Sequence, residues 1–65
     1  MPWLLAIDIE GTRQYWTGRK GPNDGPQRTL WKSDAYHFTT PRAAYEAAET
    51  HECLRRSEEW KAVPR

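Results

Sequence analysis

The sequence predicts a small α+β domain, an antiparallel sheet of three to four strands packed on one helix in the order ββ(β)αβ. Three observations point there. Residues 3–10 alternate with the two-residue period of a strand, and a glycine turn follows. Thr40-Pro41 opens a run whose alanines recur at helical spacing. The chain has only 65 residues and a single cysteine, so no internal disulfide staples it. Four Trp, three Tyr and one Phe must therefore supply much of the core, since each buried aromatic removes about 150–250 Å² from water.

In the first strand, Trp3, Leu5, Ile7 and Ile9 form one apolar face. Leu4, Ala6, Asp8 and Glu10 form the other, which turns polar toward its end. Gly11 is the turn residue, and Arg13-Gln14-Tyr15-Trp16-Thr17 is the second strand of a hairpin. A two-residue turn pairs odd residues with even ones. Trp16 then joins the inner face, while Arg13 and Tyr15 join Asp8 and Glu10 outside; a three-residue turn reverses this. Residues 18–28 hold three of the four glycines and two of the five prolines, and are expected to form a flexible basic loop. Thr29-Leu30-Trp31-Lys32 is expected as a short third strand. Ala35 and Phe38 are expected to turn inward.

The helix is expected from Pro41 to about Ser57. Thr40 caps it and Pro41 takes the first helical position, where its missing N–H leaves nothing unpaired. Ala43, Ala44, Ala47, His51 and Leu54 share one stripe roughly 100° wide, and small alanines let the helix lie close to the sheet. Arg42, Tyr45, Glu46, Glu49, Glu52 and Arg56 face away. Trp60-Lys61-Ala62-Val63 is expected to close the sheet. The inner set is Trp3, Leu5, Ile7, Ile9, Trp16, Phe38, Ala47 and Leu54. One domain, residues 1–65, accounts for everything.

Composition narrows the function classes. Net charge is +1, unlike the strongly basic profile of a dedicated DNA-binding domain. Charge is nevertheless uneven: residues 11–35 carry Arg13, Arg19, Lys20, Arg28 and Lys32 against Asp24 and Asp34. The lone Cys53 suits a reducing compartment. The chain shows no signal-peptide pattern and no bilayer-length apolar run, so a cytoplasmic location with no membrane contact is expected.

Catalytic and metal chemistry find little footing. His51 and Cys53, two apart on a helix, point about 200° away from each other, and a structural zinc site wants four close ligands. Asp8 and Glu10 lie about 7 Å apart on one strand face. Beside Arg13 they read as cross-strand partners rather than an acid–base pair. Gly18, Gly21 and Gly25 do not match phosphate-loop spacing. The chain is also too short to build a water-excluding pocket of about 300 Å³ beside its core. No enzyme activity, cofactor or metal is expected.

Binding remains, with three candidate faces. The hairpin's outer face offers Asp8, Glu10, Arg13 and Tyr15. The outer helix face offers Glu46, Glu49 and Glu52, an acidic row suited to mimicking nucleic-acid phosphates on a basic protein partner. The basic segment offers Arg19, Lys20, Arg28 and Lys32 to nucleic-acid phosphates. Trp16 or Trp31 would stack on bases if exposed, although both are expected in the core.

The stretch Trp31-Lys32-Ser33-Asp34-Ala35-Tyr36-His37-Phe38-Thr39-Thr40-Pro41-Arg42-Ala43-Ala44 resembles a pattern in many small proteins encoded by phages and prophages. In that pattern a Trp, an Asp or similar, an Ala, a Phe and a Ser/Thr precede helix alanines. It commonly follows a Tyr-containing hairpin strand, here Tyr15-Trp16-Thr17-Gly18, and precedes a closing strand, here Trp60 to Val63. The resemblance spans residues 14–63 through a handful of positions and carries over no functional residue. It implies a phage or mobile-element origin. Tiny, cysteine-poor, aromatic-rich phage proteins often inhibit host defence, anti-CRISPR proteins being the best-known group. What the resemblance implies is a stoichiometric inhibitor of a host protein, a CRISPR-Cas effector complex, that blocks its nucleic-acid binding. Direct nucleic-acid binding through the basic segment is the alternative, and a structural or self-associating phage component is the third.

Overall fold

The computed structural model describes residues 2–21, 25–51, 54 and 59–65. Strands β1 (Trp3–Ile9), β2 (Thr12–Lys20) and β3 (Pro26–Thr29) are followed by a 3-10 turn at Lys32–Asp34, helix α1 (Pro41–Thr50) and strand β4 (Lys61–Pro64). The strands form one antiparallel sheet in the order β3-β2-β1-β4, with α1 packed on it. This is the expected α+β architecture, and the third strand is present.

The hairpin has the two-residue turn. Ile9 pairs with Thr12, Asp8 with Arg13, Ile7 with Gln14 and Ala6 with Tyr15. Glu10 (φ 50°) and Gly11 (φ 83°) both lie at positive φ, the conformation that matches a tight turn to the right-handed twist of its strands. Trp16 therefore lands on the helix side, 3% exposed, with Leu5, Ile7, Phe38, Ala44, Leu54 and Trp60. Trp3, Ile9, Ala43, Ala47, Ala48 and Ala62 pack around that cluster.

The second face of the sheet is not solvated as expected. Leu4, Ala6, Tyr15 and Ala35 form a second buried cluster, with Val63 against it. Tyr15 is thus inside, not on an outer surface. The continuous apolar run Trp3–Ile7 carried this signal, because a strand buried on both faces loses its alternation. The chain beyond β3 makes the cover. After the 3-10 turn, Ala35 turns onto the second face and Phe38 onto the first.

Residues 36–38 thread between those two clusters. Trp3 and Phe38 exchange both backbone hydrogen bonds (2.8 and 2.7 Å), and Tyr36 N–H donates to the Trp16 carbonyl (2.9 Å). Leu4 pairs with Val63 of β4 on one side. Successive residues of a strand direct their polar groups to opposite neighbours, so Phe38 occupies the β2 side of Trp3. The segment fills the gap where β1 and β2 splay apart.

Several boundaries differ from expectation. β2 runs on to Lys20 and β3 starts at Pro26, so most of the expected 18–28 loop is strand. The connection closes through a 2.6 Å bond from Gly21 N–H to the Gly25 carbonyl; residues 22–24 lie outside the described set. β3 is an edge strand whose Gln27 and Arg28 are exposed, so it has no apolar alternation to read. The expected third strand at residues 29–32 is displaced for the same reason: only Thr29 belongs to β3, and Leu30 and Trp31 stand out at 55% and 67% exposure.

The helix is capped as expected, with Thr40 Oγ1 accepting from Ala43 N–H at 3.1 Å and Pro41 in the first turn. α1 ends at Thr50; of the expected continuation to Ser57, Leu54 is helical and residues 52–53 and 55–57 lie outside the described set. His51 has extended dihedrals (φ −78°, ψ 119°) and its ring lies 5.1 Å from Trp16. Of the expected apolar stripe, Ala43, Ala44, Ala47 and Leu54 pack in the core, while His51 is exposed. Glu52, Cys53 and Arg56 lie outside the described residues.

Candidate binding surface

Each candidate face is set by the sheet register. Asp8 and Arg13 are direct cross-strand partners. The guanidinium meets the carboxylate with two bonds, Nε–Oδ1 at 3.1 Å and Nη2–Oδ2 at 3.4 Å. Lys61 of β4 adds its Nζ at 3.8 Å from Oδ2. The hydrogen bond from Arg13 holds the Asp8 carboxyl below its ordinary value, and the positive charges of Arg13 and Lys61 push the same way. Asp8 in turn raises the Arg13 guanidinium. The expected outer face thus resolves into a closed charge triad. Glu10 sits in the turn, exposed, and Tyr15, 7% exposed, is buried on the second face instead of standing beside them.

On α1, Glu46 and Glu49 are exposed as expected. Arg42 Nε lies 3.4 Å from Glu46 Oε1 one turn away. The acidic row is therefore half neutralised over its described part, and Glu52 lies outside it.

The basic segment is arranged differently. Register places Arg28 opposite Trp16 and Lys20 opposite Pro26, with an irregularity between them. Gly18 makes the irregularity possible at φ +89°. The Trp16 indole N–H donates to the Arg19 carbonyl at 3.1 Å, fixing the strand end. The Thr17 hydroxyl lies within hydrogen-bond reach of Gln27, tying β3 to β2. Arg19, Arg28 and Lys32 are exposed, and no ion pair engages them among the described residues.

Between Arg28 and Lys32 stands Trp31. Its backbone is held twice: Trp31 N–H donates to Thr29 Oγ1, and its carbonyl accepts from Asp34 N–H, both at 3.1 Å. Its side chain is 67% exposed, whereas Trp16 and Trp60 are 3% and 7% exposed and Trp3 is half-buried. A chain this small needs its aromatics inside; Trp31 is the most exposed of its aromatic side chains among the described residues, ahead of Tyr36 and Tyr45 at 50% and 47%. Sequence reading placed Trp31 in the core because composition says how many aromatics a small core needs, not which one is left out.

Open clefts also lie on the surface formed by the described residues. One, of about 330 Å³, is lined by Asp8, Glu59, Trp60 and Lys61, and another, of about 290 Å³, by Pro2, His37, Phe38 and Thr39. Their volumes reach what was expected to be out of range, but both open to solvent rather than exclude it. Among the described residues, no group of three or more His, Cys, Asp or Glu side chains gathers to hold a metal, and no helix is long and apolar enough to cross a membrane. Comparison of the chain with family models, with curated proteins and with solved structures returned no match.

Proposed function

We propose that this protein is a small non-catalytic binding module that suppresses a host defence complex by blocking its engagement of nucleic acid, and that its contact surface is the turn after β3 with Trp31 at its centre. The observation that carries the surface is Trp31, two-thirds exposed on a doubly bonded backbone. Large aromatic and arginine side chains are the residues that dominate binding energy at interfaces, and Arg28 and Trp31 lie three residues apart here. The resemblance to small phage proteins supports the defence setting. The candidate carboxylate Asp8 supports a non-catalytic reading, because both its oxygens are engaged by Arg13 and Lys61.

The test measures target-DNA binding by purified CRISPR effector complexes with this protein in stoichiometric excess. Loss of binding with the wild-type chain, restored by Trp31→Ala, supports the proposal. Undiminished DNA binding by the effectors overturns it.

A further inference from the structure

We infer that the occupant of the Trp31 surface is a single-stranded nucleic acid, its phosphates held by Arg28 and Lys32 and one base stacked on the Trp31 indole. This rests on the reading of that turn as the contact surface, and it names the partner.

Charge decides the sign of the occupant. Away from this turn, Asp8 is compensated by Arg13 and Lys61 and Glu46 by Arg42, and the exposed Glu10, Glu49 and Glu59 sit on separate elements, in the hairpin turn, on α1 and before β4. A phosphate mimic would need the opposite, an uncompensated acidic row. At the turn, Arg28 and Lys32 are exposed without an ion pair among the described residues, and Arg19 adds a third such cation at the end of the paired strand. An anionic partner fits that arrangement. Asp34 is the one exposed acid in the same turn, and its carboxylate opposes the partner.

Shape decides the class. β3 is the sheet's edge, so no further strand among the described residues covers Arg28 or the turn that follows. The indole face stands free on a backbone that is already fixed. Every base offers a face for such stacking, but only an unpaired base is free to use it. Cations three residues before the ring and one residue after it flank the stacked base with phosphate contacts. A duplex offers the phosphates without the free base, and an acidic protein offers charge without the repeated flat rings.

The test is fluorescence anisotropy with a labelled thymidine 15-mer and with the matching duplex, at low salt and across a salt series. The expected result is binding that prefers the single strand and weakens with salt, with a log–log slope of about 0.7 per phosphate held. Trp31→Ala should weaken binding about tenfold and Trp31→Phe should retain most of it. Arg28→Gln and Lys32→Gln should each reduce the slope by about 0.7, and Asp34→Asn should tighten binding. No binding of the 15-mer at low salt overturns the inference, as does binding that Trp31→Ala leaves unchanged. The failures separate cleanly. If the 15-mer does not bind while Trp31→Ala still relieves effector inhibition, the partner is a protein surface and only this inference falls. If the 15-mer binds through Trp31 while effectors are untouched, the proposed inhibition falls and this inference stands.

Discussion

Gly18 and Tyr36 are interlocked: a Cβ added at Gly18 would stand 2.5 Å from Tyr36 Cδ2, inside any permitted contact. Gly18 also lies at φ +89°, where side chains are strained. Gly18→Ala should therefore destabilise the fold by about 2 kcal/mol or more. Adding Tyr36→Ala should recover part of that loss, because the clash goes while the φ strain stays. Urea denaturation of the single and double variants measures both parts. A Gly18→Ala chain as stable as wild type would refute the interlock.

The Asp8 triad makes stability depend on acid pH. The folded-state value of Asp8 is depressed by Arg13 and Lys61 below the ordinary 3.8. A group with a depressed folded value stabilises the protein above its unfolded value and loses that contribution as pH falls through the folded one. Stability should decline below about pH 4 in the wild type and decline less in Asp8→Asn. Thermal unfolding of both between pH 2 and 7 reads the difference, and parallel curves would remove Asp8 as a cause.

Glu10 occupies a turn position at φ 50°, which asparagine tolerates better than glutamate. Glu10→Asn should stabilise the hairpin by about 0.5 kcal/mol. A rise in the urea midpoint with an unchanged slope is the expected signature, and a fall would contradict the turn geometry.

Trp16 and Trp31 should respond oppositely. Trp16 is packed against Phe38, Tyr36 and His51, with centroid distances of 6.1, 5.9 and 5.1 Å. Trp16→Ala should cost about 3–5 kcal/mol, enough to unfold much of a domain this size. Trp31→Ala should change stability by less than about 1 kcal/mol, while Trp31 emission in the wild type should quench readily with acrylamide. A strongly destabilised Trp31→Ala would place that ring in the core and remove it from any contact surface.

Local chemistry determined much of this protein by itself. The β1 alternation, the Glu10-Gly11 turn and the Thr40-Pro41 cap each act through neighbours a few residues away, so hairpin register, the helix start and the inner set Leu5, Ile7, Trp16, Phe38 and Leu54 were legible in the sequence. Tertiary structure decided what depends on distant partners. Tyr15 became core because Ala35, twenty residues on, covers it. Residues 26–29 became a strand because β2 presents a free edge, without any apolar pattern of their own. His51 left the helix stripe and lies against Trp16. Trp31 stands outside while Trp16, Trp60 and Phe38 fill the helix side of the sheet. The α+β class expected from the sequence holds. The burial of Tyr15, the pairing of Asp8 with Arg13 and Lys61, and the exposure of Trp31 were not legible, because ion pairing and burial are properties of distant residues meeting, which spacing along the chain does not encode.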